Sequence, residues 1–375
     1  MNNEHQRYAT DRSCSKKSMI LMNALSAQPV IRVAQVAPNI FPTPPLHHGG
    51  TERIVHDLSV ALQNAGVEVT LFAPSDSATH LPRVGDYPSL AALEAREGRV
   101  APGVPAALEA LQMEALTRRL DAFDIVHCHG EFAHATILGA RRCRSLTTVH
   151  WRVDERDRAL FFAGFPDLPV AAISVAQEAG IPLANRAGIV HHGIARDRYA
   201  PRAVPGDHVA FIGRMTDQKR PDVAIRVARA AGLPIRLAGT IDVGNPGYFD
   251  AAVRPLLGDD AVYVGPVDDA AKGRLLGDAR ALLFPIDWPE PFGLVMIEAM
   301  ACGTPVIAWN RGSVPEIVED GVTGFIVSSE AEALAAIGRL HTLDRATVRR
   351  RFEARFTAER MAADYLAIYR RLLAR

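Results

Sequence analysis

Pro289-Glu290-Pro291-Phe292-Gly293-Leu294-Val295-Met296-Ile297-Glu298-Ala299-Met300-Ala301-Cys302-Gly303-Thr304-Pro305-Val306-Ile307 reads as a loop, a helix and the start of a strand. Two prolines fix φ on either side of Glu290 and keep that stretch out of a regular helix. Leu294, Ile297 and Ala301 then recur at the spacing of one buried helical face. Free backbone N–H groups at a helix start attract anions, phosphate above all, and Phe292, Gly293 and Leu294 form that entrance here. Glu298, about a turn further in, could accept hydrogen bonds from a diol such as a ribose. Glu290, ahead of the helix, could accept them from a sugar. The layout suits a nucleotide sugar whose pyrophosphate lies over the helix start.

The same alternation of strand and helix extends along the chain. In the first half, residues 31–37, 67–72, 125–129, 146–150, 170–174 and 189–191 read as strands. They are rich in Val and Ile and continuous rather than alternating, as buried parallel strands are. Ile54, Leu58, Ala61 and Leu62 give a helix that Gly66 stops. Residues 81–103 are punctuated by Pro and Gly and read as a mobile segment with a short helix at 90–96. Helical pattern resumes at 108–120. The Pro/Gly-bearing residues 200–206 are a natural linker. Beyond them, strands are expected at 209–212, 235–238, 262–264, 281–284, 306–308 and 325–327. The main helices of this half are expected at 223–231, 271–279, 294–301 and 331–340. Two successive βα series predict two doubly wound α/β domains, residues 30–199 and 200–356, with ligands at the carboxyl ends of their strands. Residues 1–29 read as a disordered leader.

Composition narrows the class. The chain has 375 residues, 48% hydrophobic and 22% charged, which fits a globular protein of about two domains. Lys plus Arg balances Asp plus Glu at 42 each, so nothing favours a nucleic-acid partner. Local basic clusters at Arg141-Arg142 and Arg349-Arg350-Arg351 read as solvated faces, which leaves at most peripheral membrane contact. Cys14, Cys128, Cys143 and Cys302 show no C-x-x-C spacing, and no apolar run reaches a membrane span. Both point to the cytoplasm.

Five motifs in order resemble the retaining glycosyltransferases of family 4. Glu290 to Glu298 is similar to that family's E-x7-E signature, and His48-Gly49-Gly50-Thr51-Glu52 to its early Gly-Gly-x-Glu loop. Phe123-Asp124-Ile125-Val126-His127 and Thr147-Thr148-Val149-His150 resemble its two strand-end histidine motifs. Phe211-Ile212-Gly213-Arg214-Met215-Thr216-Asp217-Gln218-Lys219 resembles its Gly-Arg-x4-Lys donor loop, although Arg220 follows where the family usually has glycine. The resemblance runs from about residue 31 to the C-terminus. It implies the GT-B architecture of two Rossmann-like domains facing a cleft, acceptor on the first and donor on the second. It also implies that a final helix, residues 357–373, crosses back to the first domain, and that His150 lies near the transferred sugar.

Sugar transfer leaves growing negative charge on a departing phosphate, which a preorganised positive site stabilises. Many glycosyltransferases use a metal held by Asp-x-Asp, but no such triplet occurs in the sequence. Arg214 and Lys219, beside Gly213 where the backbone allows close approach, are the natural substitute, so no metal or other cofactor is expected. Gly49-Gly50 lets backbone N–H groups approach the phosphates, and Glu52 supports that helix start. Glu298 sits in an otherwise apolar helix, where an unpaired carboxylate is costly and a bound ribose would account for it. His127 and His129 flank Cys128, but nothing completes a metal ligand set. Glu316, in the turn that opens at Arg311-Gly312-Ser313, reads as a helix-entry residue. Trp151, Arg152, Phe161, Phe162 and Phe165 either line an acceptor groove or pack in the core.

The reading is therefore a metal-independent retaining glycosyltransferase. Its partners would be a nucleoside-diphosphate sugar and a glycan, lipid-linked or small-molecule acceptor. An epimerase or hydrolase of the same architecture, a glycan phosphorylase, and a non-catalytic nucleotide-sugar-binding protein are the alternatives.

Overall fold

The computed structural model describes residues 30–46 and 49–375; the expected leader and His47-His48 lie outside them. The first sheet has seven strands: β1 Arg32–Val36, β2 Glu68–Phe72, β3 Arg83–Val84, β4 Ile125–Cys128, β5 Ser145–Thr148, β6 Val170–Ala172 and β7 Arg186–Ile189. Their order is β3-β2-β1-β4-β5-β6-β7. The second has β8 Val209–Ile212, β9 Ile235–Ala238, β10 Ala261–Gly265, β11 Leu282–Phe284, β12 Val306–Trp309 and β13 Gly324–Val327, in the order β10-β9-β8-β11-β12-β13. Every pairing in both sheets is parallel. Each sheet reverses its winding once, between β1 and β4 and between β8 and β11. In open sheets of this kind the ligand crevice forms at that reversal. This is the GT-B arrangement.

Most expected strands appear within a residue or two of their places, because buried parallel strands need continuous apolar runs and little else. Residues 81–103 contain the short helix expected at 90–96, as Leu90–Glu97, together with β3. The helix Val104–Thr117 starts directly after them, earlier than expected. The anchor is remote. Asp76 accepts from Ser89 N at 2.8 Å and Ser89 Oγ at 2.6 Å, and Ser89 caps the helix through Ala92 N. β7 lies a few residues before its expected place. Ile194 instead bridges to Thr357, with Ile194 N donating to Phe356 O at 3.0 Å. The basic helix Arg345–Arg355 was not expected, since only Arg345, Val348 and Phe352 of it are buried.

The last helix, Ala358–Leu373, opens on Thr357 as its cap and lies against the helix Gly50–Asn64. Tyr365 and Tyr369 are fully buried. Tyr369 Oη accepts from Gln35 Nε2 at 3.0 Å and lies 2.7 Å from His127 Nδ1, which ties the end of the chain to β1 and β4. Tyr369→Phe should therefore cost about 1–3 kcal/mol, because it strands buried polar partners. Urea unfolding should show a lower midpoint at unchanged slope.

Candidate functional site

Two helix starts meet between the sheets. Gly293 takes φ 77° before the helix Leu294–Ala301, where a Cβ would lie 2.7 Å from Met296 Cε. Gly49 takes φ 135° before the helix Gly50–Asn64, and a Cβ on Gly50 would touch Leu294 Cδ1 at 3.0 Å. Two positive helix ends thus converge from opposite domains, which favours an anion between them.

Three connected hollows, of about 220, 350 and 470 Å³, open around this point, and Gly50 and Arg214 border all of them. Gly49, Gly213, Leu294 and Glu298 line the first. Lys219, Glu290, Phe292, Gly293 and His150 line the second. His150 also borders the third, which lies against the first domain. Every site residue selected from the sequence reaches this cleft.

The charged groups are already paired. Lys219 holds the Glu290 carboxylate, which also accepts from Trp288 Nε1 at 2.7 Å. Arg214 reaches Asp242 at 3.3 Å and lies 5.7 Å from the centre of the Trp151 ring. Glu298 does not lack a partner, contrary to the sequence reading: Lys272 Nζ donates to it at 2.8 Å and Tyr199 Oη at 3.4 Å. Lys272 and Arg53 border the first hollow, and neither carries a local signal that singles it out. Arg220 adopts the left-handed conformation, φ 53°, where the family usually has glycine, and its guanidinium is held by Asp222 at 3.1 and 3.2 Å. The loop keeps a backbone that glycine would adopt without strain.

Other residues find different places from those expected. Glu316 is more than a helix-entry residue. It accepts from Val175 N at 2.7 Å and Ala176 N at 2.8 Å in the first domain and lies 3.0 Å from His191 Nε2, so it clasps the two domains together. Phe161 and Phe162 belong to the core, whereas Trp151 borders the cleft 5.5 Å from Trp288. Glu52 is buried at its helix start and pushed up to about 7 by that burial. His127 and His129 spend their ring nitrogens on protein partners. Among the described residues no group of three His, Cys, Asp or Glu is placed to hold a metal ion, and no helix is long and apolar enough to cross a membrane.

Burial depresses five histidines: His134 to about 4, His150 to about 3, and His127, His129 and His192 well below the usual value. The unfolded chain takes up a proton at each near pH 6.5, which the folded chain declines. Their contribution to stability is therefore complete above about pH 6.5 and lost as pH falls below it. Glu52 acts oppositely between about pH 4.5 and 7, but it is one group against five. The melting temperature should fall clearly from pH 7.5 to pH 5; a flat profile would contradict this.

Residues 48–179 match the family described as Glycosyltransferase Family 4, and residues 204–354 match Glycosyl transferases group 1. The chain belongs to the family 4-like glycosyltransferases. D-inositol 3-phosphate glycosyltransferase of Mycobacterium tuberculosis is 33% identical over 248 residues, which cover 59% of this chain and 50% of that protein. The chain thus matches about half the length of its curated relatives. Sucrose-phosphate synthase from Thermosynechococcus elongatus shares the fold with a TM-score of 0.73 at 21% identity, over 92% of this chain and 99% of that one. Anabaena HepE, solved with UDP and glucose, gives 0.68 at 15% identity, over 90% and 98%.

Proposed function

We propose that this chain is a metal-independent, retaining glycosyltransferase that moves a sugar from a nucleoside-diphosphate sugar to an acceptor hydroxyl. The observation that carries the reading is the convergence of two helix starts, Gly50 and Leu294, beside Arg214 and Lys219. That arrangement offers fixed positive charge where a diphosphate would lie. Lys272 and Glu298 border the nucleotide end and Glu290 the sugar end. HepE, with UDP and glucose in the corresponding fold, supports a UDP-type donor.

On this reading the donor phosphates displace Asp242 from Arg214 and draw Lys219 from Glu290. Glu290 is then free to accept from sugar hydroxyls, and Arg214 and Lys219 meet the charge that grows on the leaving phosphate. The acceptor enters through the 470 Å³ hollow on the first domain. Room for a second substrate favours transfer over hydrolysis or epimerisation. The acceptor attacks from the leaving-group side, helped by the departing phosphate, so the configuration is kept. The free Cys128, Cys143 and Cys302 are consistent with a reducing cytoplasm.

Thermal shift with UDP-, GDP- and ADP-sugars, followed by nucleotide release with candidate acceptors, tests the reading. Selective stabilisation by one donor, and acceptor-dependent release that survives EDTA, is the expected result. Release equally fast without acceptor would favour a hydrolase. Complete loss in EDTA with recovery on Mg²⁺ or Mn²⁺ would overturn the metal-free mechanism.

A further inference from the structure

Behind His150 a chain of buried polar groups runs back to the last helix. Gln35 is fully buried on β1. Its Oε1 lies 2.8 Å from His129 Nε2, and its Nε2 donates to Tyr369 Oη at 3.0 Å. His129 Nδ1 lies 2.9 Å from His150 Nε2. Tyr369 Oη meets His127 Nδ1, and His127 Nε2 lies 2.8 Å from Thr148 Oγ1, which is 2.9 Å from Tyr365 Oη.

With the Gln35 amide in this orientation, the contacts fix the protons of His129 and His150. A neutral imidazole has one N–H and one bare nitrogen. Burial keeps His127, His129 and His150 neutral. An amide oxygen only accepts, so His129 carries its proton on Nε2 and its Nδ1 is bare. His150 must then donate from Nε2, which leaves its own Nδ1 bare. That nitrogen has no hydrogen-bond partner among the described residues, and the ring borders both the hollow lined by Glu290 and Lys219 and the one against the first domain. His150 is further steadied by stacking on His192, centroids 5.0 Å apart and planes 17° apart.

We infer that Gln35 and His129 are positioning residues that lock His150 in its Nε2–H form, so that it presents a lone pair to a substrate hydroxyl in the cleft. Tyr369 Oη accepts from the other end of the same amide, Gln35 Nε2. With the opposite form, an N–H would face that hydroxyl and the hydrogen bond would have to reverse. Nothing in local sequence marks Gln35, which sits inside a strand. The inference rests on the proposed transferase reading for its substrate, but not for its proton placement.

The proton placement is read without substrate, from multiple-bond ¹H–¹⁵N spectra of ¹⁵N-histidine-labelled protein at pH 7.5. His129 and His150 should both show a protonated Nε2 and a bare Nδ1. Kinetics then test the consequence. His129→Asn puts an amide oxygen where Nδ1 was and should keep most of kcat/KM. His129→Leu and Gln35→Met remove the acceptor and should lose about 10–100-fold, the range seen for outer partners of metal-bound histidines. Affinity for free nucleoside diphosphate should not change in any of them. A His150 Nδ1–H form, full activity in His129→Leu, or equal loss in His129→Asn and His129→Leu would each overturn the relay. Because the spectra need no turnover, failure of the relay and failure of the transferase reading are told apart.

Discussion

Arg214→Ala is expected to lower kcat by about 10²–10³, the roughly 2.7–4 kcal/mol lost when one preorganised donor to a developing anion is removed. The loss should fall on kcat more than on donor affinity, because phosphate charge grows toward the transition state. The structure makes this a clean measurement. The Arg214 side chain is 40% exposed, and its ion pair to Asp242 at 3.3 Å is the kind that contributes about 0–1 kcal/mol to stability. The variant should therefore melt within a few degrees of the parent. Near-normal turnover in a folded variant would remove Arg214 from the mechanism.

Glu298→Gln and Glu290→Gln are expected to give opposite binding patterns by calorimetry. Glu298→Gln keeps the shape but removes charge-assisted bonds worth about 1.5–3 kcal/mol, roughly one to two powers of ten in Kd. Donor and free nucleoside diphosphate should weaken together, since both contain the ribose. Lys272, 2.8 Å from Glu298, loses its counter-charge in this variant, so some loss of stability should accompany the binding defect. Glu290→Gln should impair the intact donor and turnover while leaving nucleotide affinity almost unchanged. On the proposed reading the freed Lys219 keeps its place at the donor phosphates. The same pattern from both variants would refute the division into ribose and sugar ends.

The strands and the cleft were legible in the chain because both rest on local rules. Continuous Val/Ile runs mark buried parallel strands, and Gly49-Gly50, Gly213 and Glu290 each follow one of them, at the end where such sheets bind ligands. The helix Leu294–Ala301 was legible to the residue, since a proline-fixed loop and a left-handed Gly293 define its start. Segment 81–103 was legible only in part, as its short helix at 90–96. Its order comes from Asp76 gripping Ser89 across a turn, which no periodicity records.

What the sequence determined by itself was most of the cleft residues, though not Arg53 or Lys272, and the sheets that carry them. The pairing of those residues was decided only by the tertiary structure. Lys219 finds Glu290 from 71 residues away, His129 finds Gln35 from 94, and Glu316 reaches Val175 from 141. Such partners are fixed by strand order and by how the two domains face each other, and neither is written in the spacing of neighbours. Burial then sets their chemistry. A histidine excluded from water stays neutral and is left with one proton, whose nitrogen its partners choose.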